Sequence, residues 1–394
     1  MTQLYLLSAV VTLYGLANGL IQVTTPQAAL YLGLSSQDLG ATAAGMPFGY
    51  ALGCLVLGRV TRGISAKWVL LSGVLISLAA FLVMAILKSK TGCMVSMAMF
   101  GLAGGAFWPF ASAWMLDFQS LEIPKSRILK FYNLGWTSGT ASGLFLGGLL
   151  CKQGYYFETI WCGAALIIVV LVLALIPKAT HHAASPSSET IALQARKVTL
   201  AALLAAVSCN MLALATRAIV LNNYAELNEL YDKKGDVIGR YIAASVFCQL
   251  LTFFFSSKYE KYLGFKRTYF ILAALLVTAN LCFAYVKEEG VLLLCAAVLG
   301  IVLAVAFQAC IFASTGFFHS ARSGTTFHEA MVGVGQTYTL FAGVLIEQGK
   351  HAHWSSLDAL RLPFIVLASL VTLAFCFQQG ALSWGKGRQA LASH

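Results

Sequence analysis

The sequence predicts an all-α membrane protein whose twelve transmembrane helices form two six-helix halves. Three observations predict it. Of the 394 residues, 59% are hydrophobic and only 10% charged, with a mean hydropathy of +0.79, whereas a soluble domain carries about 25% charge. The apolar runs reach the roughly 20 residues a helix needs to cross a bilayer core, far beyond the ~10-residue alternating segments of membrane β-barrels. Finally, parts of the first half return in the second at a fixed offset.

Taken in order, the apolar runs place spans 1 to 6 at Leu4–Leu32, Gln37–Thr61, Trp68–Leu87, Gly92–Asp117, Arg127–Leu150 and Phe157–Pro177. Spans 7 to 12 follow at Val198–Glu226, Val237–Ser256, Thr268–Val286, Val291–Phe318, Thr325–Glu347 and Leu362–Gln378. Residues 1–177 thus make one bundle and 198–394 the other. The polar, Ser/Ala-rich stretch 178–197 reads as a cytoplasmic linker, with His181 and His182 solvated. The opening stretch Met1–Val23 lacks a basic n-region and a small-residue cleavage site, so it is expected to stay as the first helix.

Charge sets the orientation. With a cytoplasmic N-terminus, sixteen Lys and Arg fall in inner segments and eight in outer ones, the latter including Lys350 and Arg361. The positive-inside rule therefore puts both termini and the linker in the cytoplasm, in a multi-pass inner-membrane topology. The net charge of +11 points to anionic lipid and away from nucleic acid. The cysteines within apolar runs, Cys54, Cys162, Cys209, Cys248, Cys282, Cys295, Cys310 and Cys376, form no C-x-x-C pair and read as small core hydrophobes.

The repeat has two parts. Phe131, Gly139 and Gly147 of span 5 return as Phe327, Gly335 and Gly343 of span 11, an offset of 196, and the basic loop Gly58 to Lys67 returns as Ser257 to Lys266, an offset of 199. Parallel six-helix repeats place a solute site near the midplane between the halves. In helix count, linker position and repeat the chain resembles the major facilitator superfamily over essentially its whole length. The family loop G-x-L-a-D-R-x-G-R-K is echoed by Gly58-Arg-Val-Thr-Arg62-Gly-Ile-Ser65-Ala-Lys67, with Arg62 in place of the Asp and Ser65 in place of a Gly. Glu260 to Arg267 forms a looser copy. Gly139, Gly143, Gly147 and Gly148 resemble the family's antiporter motif, although Leu144 replaces its proline, and glycines four apart also serve close helix packing. The resemblance implies that spans 1, 4, 7 and 10 line the cavity, that spans 3, 6, 9 and 12 face lipid, and that Gly58, Lys67, Asp117, Gly139 and Gly143 serve conformational gating.

Polar side chains inside a bilayer are costly and mark the pathway. Asn18 and Gln22 share one face of span 1, and Asn210 and Arg217 lie on span 7, Gln249 on span 8, Gln308 on span 10 and Gln336 on span 11. Trp108, Tyr132, Asn133 and Trp136, with Trp114 nearby, add aromatic surface with amide neighbours, suited to an organic solute. Arg217 has three readings: a site for a substrate anion, a residue snorkelling to the outer interface, or the partner of a carboxylate in the following loop. Glu329 either couples protons or pairs with Arg322 or Lys130. Arg240 is expected at the outer interface, and His351-Ala-His353 has a weak metal-binding look.

Enzymatic motifs are missing: no G-x-S-x-G, H-E-x-x-H or Walker loop occurs. The expected protein is not an enzyme and uses no cofactor or metal. It is a monomeric secondary transporter moving a small organic solute, anionic or hydrogen-bonding, by alternating access, with protons as coupling partner. Efflux of amphipathic compounds and a transporter-like receptor without flux are the alternatives.

Overall fold

The computed structural model of the chain describes residues 2–61, 64–116, 125–177, 200–222, 224, 226–227, 236–255, 259, 262–263, 266–318 and 321–391. The first half comprises α1 (Thr2–Tyr31), α2 (Ser36–Val60), α3 (Ala66–Leu87), α4 (Lys90–Leu116), α5 (Lys125–Lys152) and α6 (Tyr156–Leu175). The second comprises α7 (Leu200–Asn222), α8 (Asp236–Phe254), α9 (Lys266–Tyr285), α10 (Glu289–Phe317), α11 (Ala321–Gln336), α12 (Tyr338–His351) and α13 (Ser356–Leu391). Spans 1 to 10 correspond to α1 to α10, span 11 to α11 with α12, and span 12 to α13. Among the described residues, eleven spans are long and apolar enough to cross a membrane. The remaining one, α5, has the length but is diluted by five glycines and by Ser and Thr. The protein is a multi-pass membrane protein. Below, the near end is the one carrying the α2–α3 connection, and the far end carries the α1–α2 connection.

Each half has its own apolar core. One is built on Leu7, Tyr14, Phe81, Phe100 and Phe107, the other on Ile219, Tyr241, Ile242, Phe283 and Phe364. The cores are possible because backbones approach closely at glycines. A methyl group at Gly101 of α4 would collide with the Met46 carbonyl of α2, and one at Gly300 of α10 would collide with the Ser245 carbonyl of α8. The two pairs are related by the offset of 199 seen in the basic loops, so the repeat extends to individual backbone contacts. Burial also follows the cavity-lining pattern at its extremes: 72% of the apolar window of α7 is buried against 33% for α13.

The structure corrects three expectations. Span 11 crosses as one stretch, Thr326–His351, but is interrupted at Thr337, whose N–H is shared between the carbonyls of Gly333 and Val334, so that it comprises two helices. Span 12 begins at Ser356, before Leu362, because the Ser355 hydroxyl accepts from the Asp358 N–H at 3.1 Å and donates to its carboxylate at 2.6 Å, which caps the helix. Arg361 consequently sits within α13, and Lys350 sits within α12, which runs on to His351; Arg361 donates to the Ala284 carbonyl at 2.9 Å and pairs with Asp358 at 3.3 Å. Of the eight cysteines expected in the core, Cys162 and Cys376 are exposed on the outer surface and Cys248 and Cys282 are half-buried. An apolar thiol is as well solvated by lipid as by a core, so hydropathy does not separate the two. The linker 178–197 and Asp117 lie outside the described residues.

Candidate functional site

In the first half, Trp108 of α4 is the centre of the aromatic cluster, with ring centroids 5.2 Å from Tyr14, 6.4 Å from Tyr132 and 6.4 Å from Trp136. Tyr132 donates its hydroxyl to the Trp108 carbonyl at 3.2 Å, and the Trp136 indole N–H donates to Asn133 Oδ1 at 3.2 Å. On α1, Gln22 donates to Asn18 Oδ1 at 3.0 Å, as residues four apart on one helix face allow. Trp114 is separate from this group: it is buried beneath the Lys67 ammonium, which lies 5.9 Å from its ring.

In the second half, Arg217 Nη1 donates to Gln249 Oε1 at 3.4 Å. Gln249 lies five residues from the near end of α8, so the guanidinium turns into the bundle and does not snorkel to the far interface. Its described partner is a neutral amide, and no described carboxylate pairs with it. Asn210, two turns away on the same face of α7, is fully buried with both amide atoms lacking a hydrogen-bond partner. Gln308 and Gln336 are half-buried, the latter at the last residue of α11 beside the break.

Glu329 accepts a 2.6 Å hydrogen bond from the Tyr50 hydroxyl of α2. This bond crosses between the halves. The side chains of Arg322 and Lys130 lie outside the described residues. His328, the preceding residue, is fully buried with neither ring nitrogen partnered, its ring edge-on to Phe307 at 4.3 Å. Phe307 packs 5.8 Å from Phe253, and Phe253 packs 6.4 Å from Trp136, so aromatic rings also bridge the halves on the near side of Arg217 and Gln249.

A polar network bridges the far end. Ser36 at the start of α2 donates its N–H to Glu347 at 3.1 Å and its hydroxyl to Glu226 at 2.7 Å, and Lys350 reaches the Ser36 hydroxyl at 2.6 Å and Glu226 at 3.3 Å. Arg240 pairs with Glu289 at 2.7 Å at the same end, both half-exposed, where an interfacial residue is expected.

Among the gating residues, Lys67 donates to the carbonyls of Leu175 at 2.7 Å and Pro177 at 2.5 Å. It therefore clamps the end of α6 within its own half. Gly139 and Gly143 take in the backbone of α1 at Thr12 and Leu16, again within one half. The glycines that meet across the halves are others: Gly239 approaches Gly148, and Gly40 approaches Gly343. Gly58 sits near the end of α2, and Arg62 lies outside the described residues. Among the described residues, no three His, Cys, Asp or Glu side chains stand together as a metal site.

Sequence reasoning missed Tyr50, Phe253, Phe307 and the Ser36 network. Phe253 follows Gln249 by four residues and so shares its face, a spacing that was readable. Tyr50 carries no such mark, since a tyrosine in an apolar run looks like core.

The family model described as Major Facilitator Superfamily matches residues 7–327. The chain belongs to that superfamily. No curated protein matches it. Among solved structures, it is similar to the nucleoside transporter NupG at 13% identity, covering 97% of this chain and 99% of that one, with a TM-score of 0.73. It is similar to a bacterial homologue of the human lysosomal transporter Spinster, in an inward-facing and unoccupied conformation, at 14% identity, 97% and 96% coverage and a TM-score of 0.72. The POT family transporter PepTSo is comparable, at 14% identity, 97% and 98% coverage and a TM-score of 0.73. At these identities the likeness shows a shared fold, the superfamily's two-half helical bundle.

Proposed function

We propose that the protein is a proton-coupled secondary transporter of a small organic anion, working by alternating access in the cytoplasmic membrane with its near end and termini in the cytoplasm. The observation that carries this reading is Arg217, a cation inside a span whose described partner is the neutral Gln249. An uncompensated charge inside a span is costly, up to roughly 3 kcal/mol at its centre on insertion scales, and Arg217 lies five residues from the far end of α7. An anionic group on the solute would meet that demand, with hydrogen bonds available from Gln249, Gln308, Asn210 and, across the bundle, Asn18 and Gln22. The aromatic wall of Trp108, Trp136, Phe253 and Phe307 would hold the organic body of the solute. Glu329, a carboxyl within a span whose described partner is a neutral phenol, is the proposed proton site. The superfamily match and neighbours that are themselves named transporters, one of them for nucleosides, support a secondary transporter.

A thermal-stability screen tests the reading. Organic acids, sugars, amino acids, nucleosides and cationic dyes are compared on the purified protein and on Arg217→Ala, since a ligand at 100 times its Kd adds about 2.7 kcal/mol. The expected result is that organic acids stabilise the native protein and not the variant. Stabilisation by apolar or cationic compounds alone, equal in both proteins, would make Arg217 structural and favour efflux of amphipathic compounds.

A further inference from the structure

We infer that Tyr50 is a positioning residue for the coupling step, forming with Glu329 a proton-controlled latch that holds the two halves together at one site. The inference rests on Glu329 being the proton site. Three features place the latch. The bond joins α2 of the first half to α11 of the second, and the Tyr50 ring packs into the core of the second half while lying 3.3 Å from where a side chain at Gly104 of α4 would begin. One turn beyond Glu329, Gly333 approaches the Pro47 carbonyl so closely that a methyl group there would stand 2.5 Å from it. The break at Thr337 then separates α11, which carries Glu329, from α12, which carries the far-end residues Glu347 and Lys350.

The chemistry follows from the donor and the acceptor. A phenol donating to a carboxylate makes a charge-assisted bond, about twice as strong as one between neutral groups. Adding a proton to Glu329 removes the charge and weakens the bond across the interface. The segment α11 is then free to part from α2 about Thr337, while α12 stays clamped to Ser36. Loss of the proton restores the bond. The other titratable groups within electrostatic range of Glu329 among the described residues are Cys54 of α2, Tyr132 of α5 and Cys310 of α10. His328 is its chain neighbour and faces Phe307. From α7 the charged group is Arg217, held by Gln249, and the titratable and charged groups of α12 (Tyr338, Glu347, Lys350 and His351) lie beyond the break.

Hydrogen exchange on the full-length protein in lipid nanodiscs, without any solute, tests the latch. After correction for the intrinsic chemical rate, exchange in peptides from α2 and α11 is compared at about pH 5 and about pH 8, where it reports how often these segments open. The native protein is expected to exchange severalfold faster at the acidic pH in both peptides. Glu329→Gln and Tyr50→Phe, which keeps the ring over Gly104 and leaves the carboxyl in place, are both expected to show the fast rate at either pH. If Glu329→Gln has lost the response but Tyr50→Phe behaves as native, Tyr50 has no positioning role and Glu329 coupling stands. If Glu329→Gln responds to pH as the native protein does, the latch and the coupling reading both fall. Should Tyr50→Phe not fold, Glu329→Asp takes its place: shortening the reach by one methylene should give fast exchange at about pH 8, and a native rate there would overturn the latch.

Discussion

Arg217 and Asn210 sit two turns apart on α7, and their environments set opposite expectations for substitution. Asn210 is fully buried with both amide atoms unpartnered, and a buried polar group without a partner costs roughly 1–3 kcal/mol. Asn210→Leu, which keeps the branched outline and the number of heavy atoms, is expected to raise thermal stability by about 1 kcal/mol while weakening the stabilisation given by the bound acid. A variant that is less stable and binds normally would show Asn210 to be a packing residue. Arg217→Lys keeps the charge but loses the planar fork that matches a carboxylate, so it should retain selectivity for anions with roughly tenfold weaker binding. Titration of the stabilising acid by calorimetry reads this directly. Single residues of this kind were legible in the sequence because charge and amides are rare in spans. His328 is legible in the same way, as a polar residue in span 11, but Tyr50 was not, since its importance comes from a residue 279 positions away.

Among the elements, the spans up to α10 were legible to within a few residues because each is a long apolar run bounded by charged or turn-forming residues. The break in span 11 was not, since α11 is amphipathic and rich in polar residues and glycine, and nothing in that composition marks Thr337 as the point of interruption. The start of α13 was hidden for the opposite reason: Asp358 and Arg361 look like loop charges, but the first caps with Ser355 and the second is absorbed by the Ala284 carbonyl. Close packing between elements gives a graded test. Gly101→Ala and Gly300→Ala, at repeat-related sites where a methyl group meets backbone, are each expected to cost about 1–3 kcal/mol through overpacking. Gly290→Ala has open space around it in the first turn of α10 and should be neutral or stabilising by up to about 1 kcal/mol. Thermal unfolding of the three variants checks the order, and equal effects would mean the close approaches are not maintained in solution.

On the scale of the whole molecule, the halves are joined at both ends by different chemistry. Lys350 holds Glu226 and Glu347 beside Ser36 at the far end, while Tyr50, Glu329 and the Trp136–Phe253 contact join them on the near side. Apart from Lys350 and Glu347, which are neighbours on one helix, these pairings were not legible in sequence, because each spans more than 100 residues and only the fold brings the partners together. Lys350→Met leaves two carboxylates facing each other without a cation and is expected to open the far end, read as severalfold faster hydrogen exchange in the first turns of α2 and unchanged exchange near Glu329. Alternating access by an anion-selective site requires that binding at Arg217 and movement of the halves occur together. Flux in proteoliposomes tests that most directly, using the organic acid that best stabilises the protein, with an inward proton gradient imposed or absent. The expected result is saturable uptake that the gradient accelerates and that Arg217→Ala abolishes. Binding of the acid with flux no greater than in protein-free liposomes would contradict transport and identify the protein as a receptor built on a transporter fold.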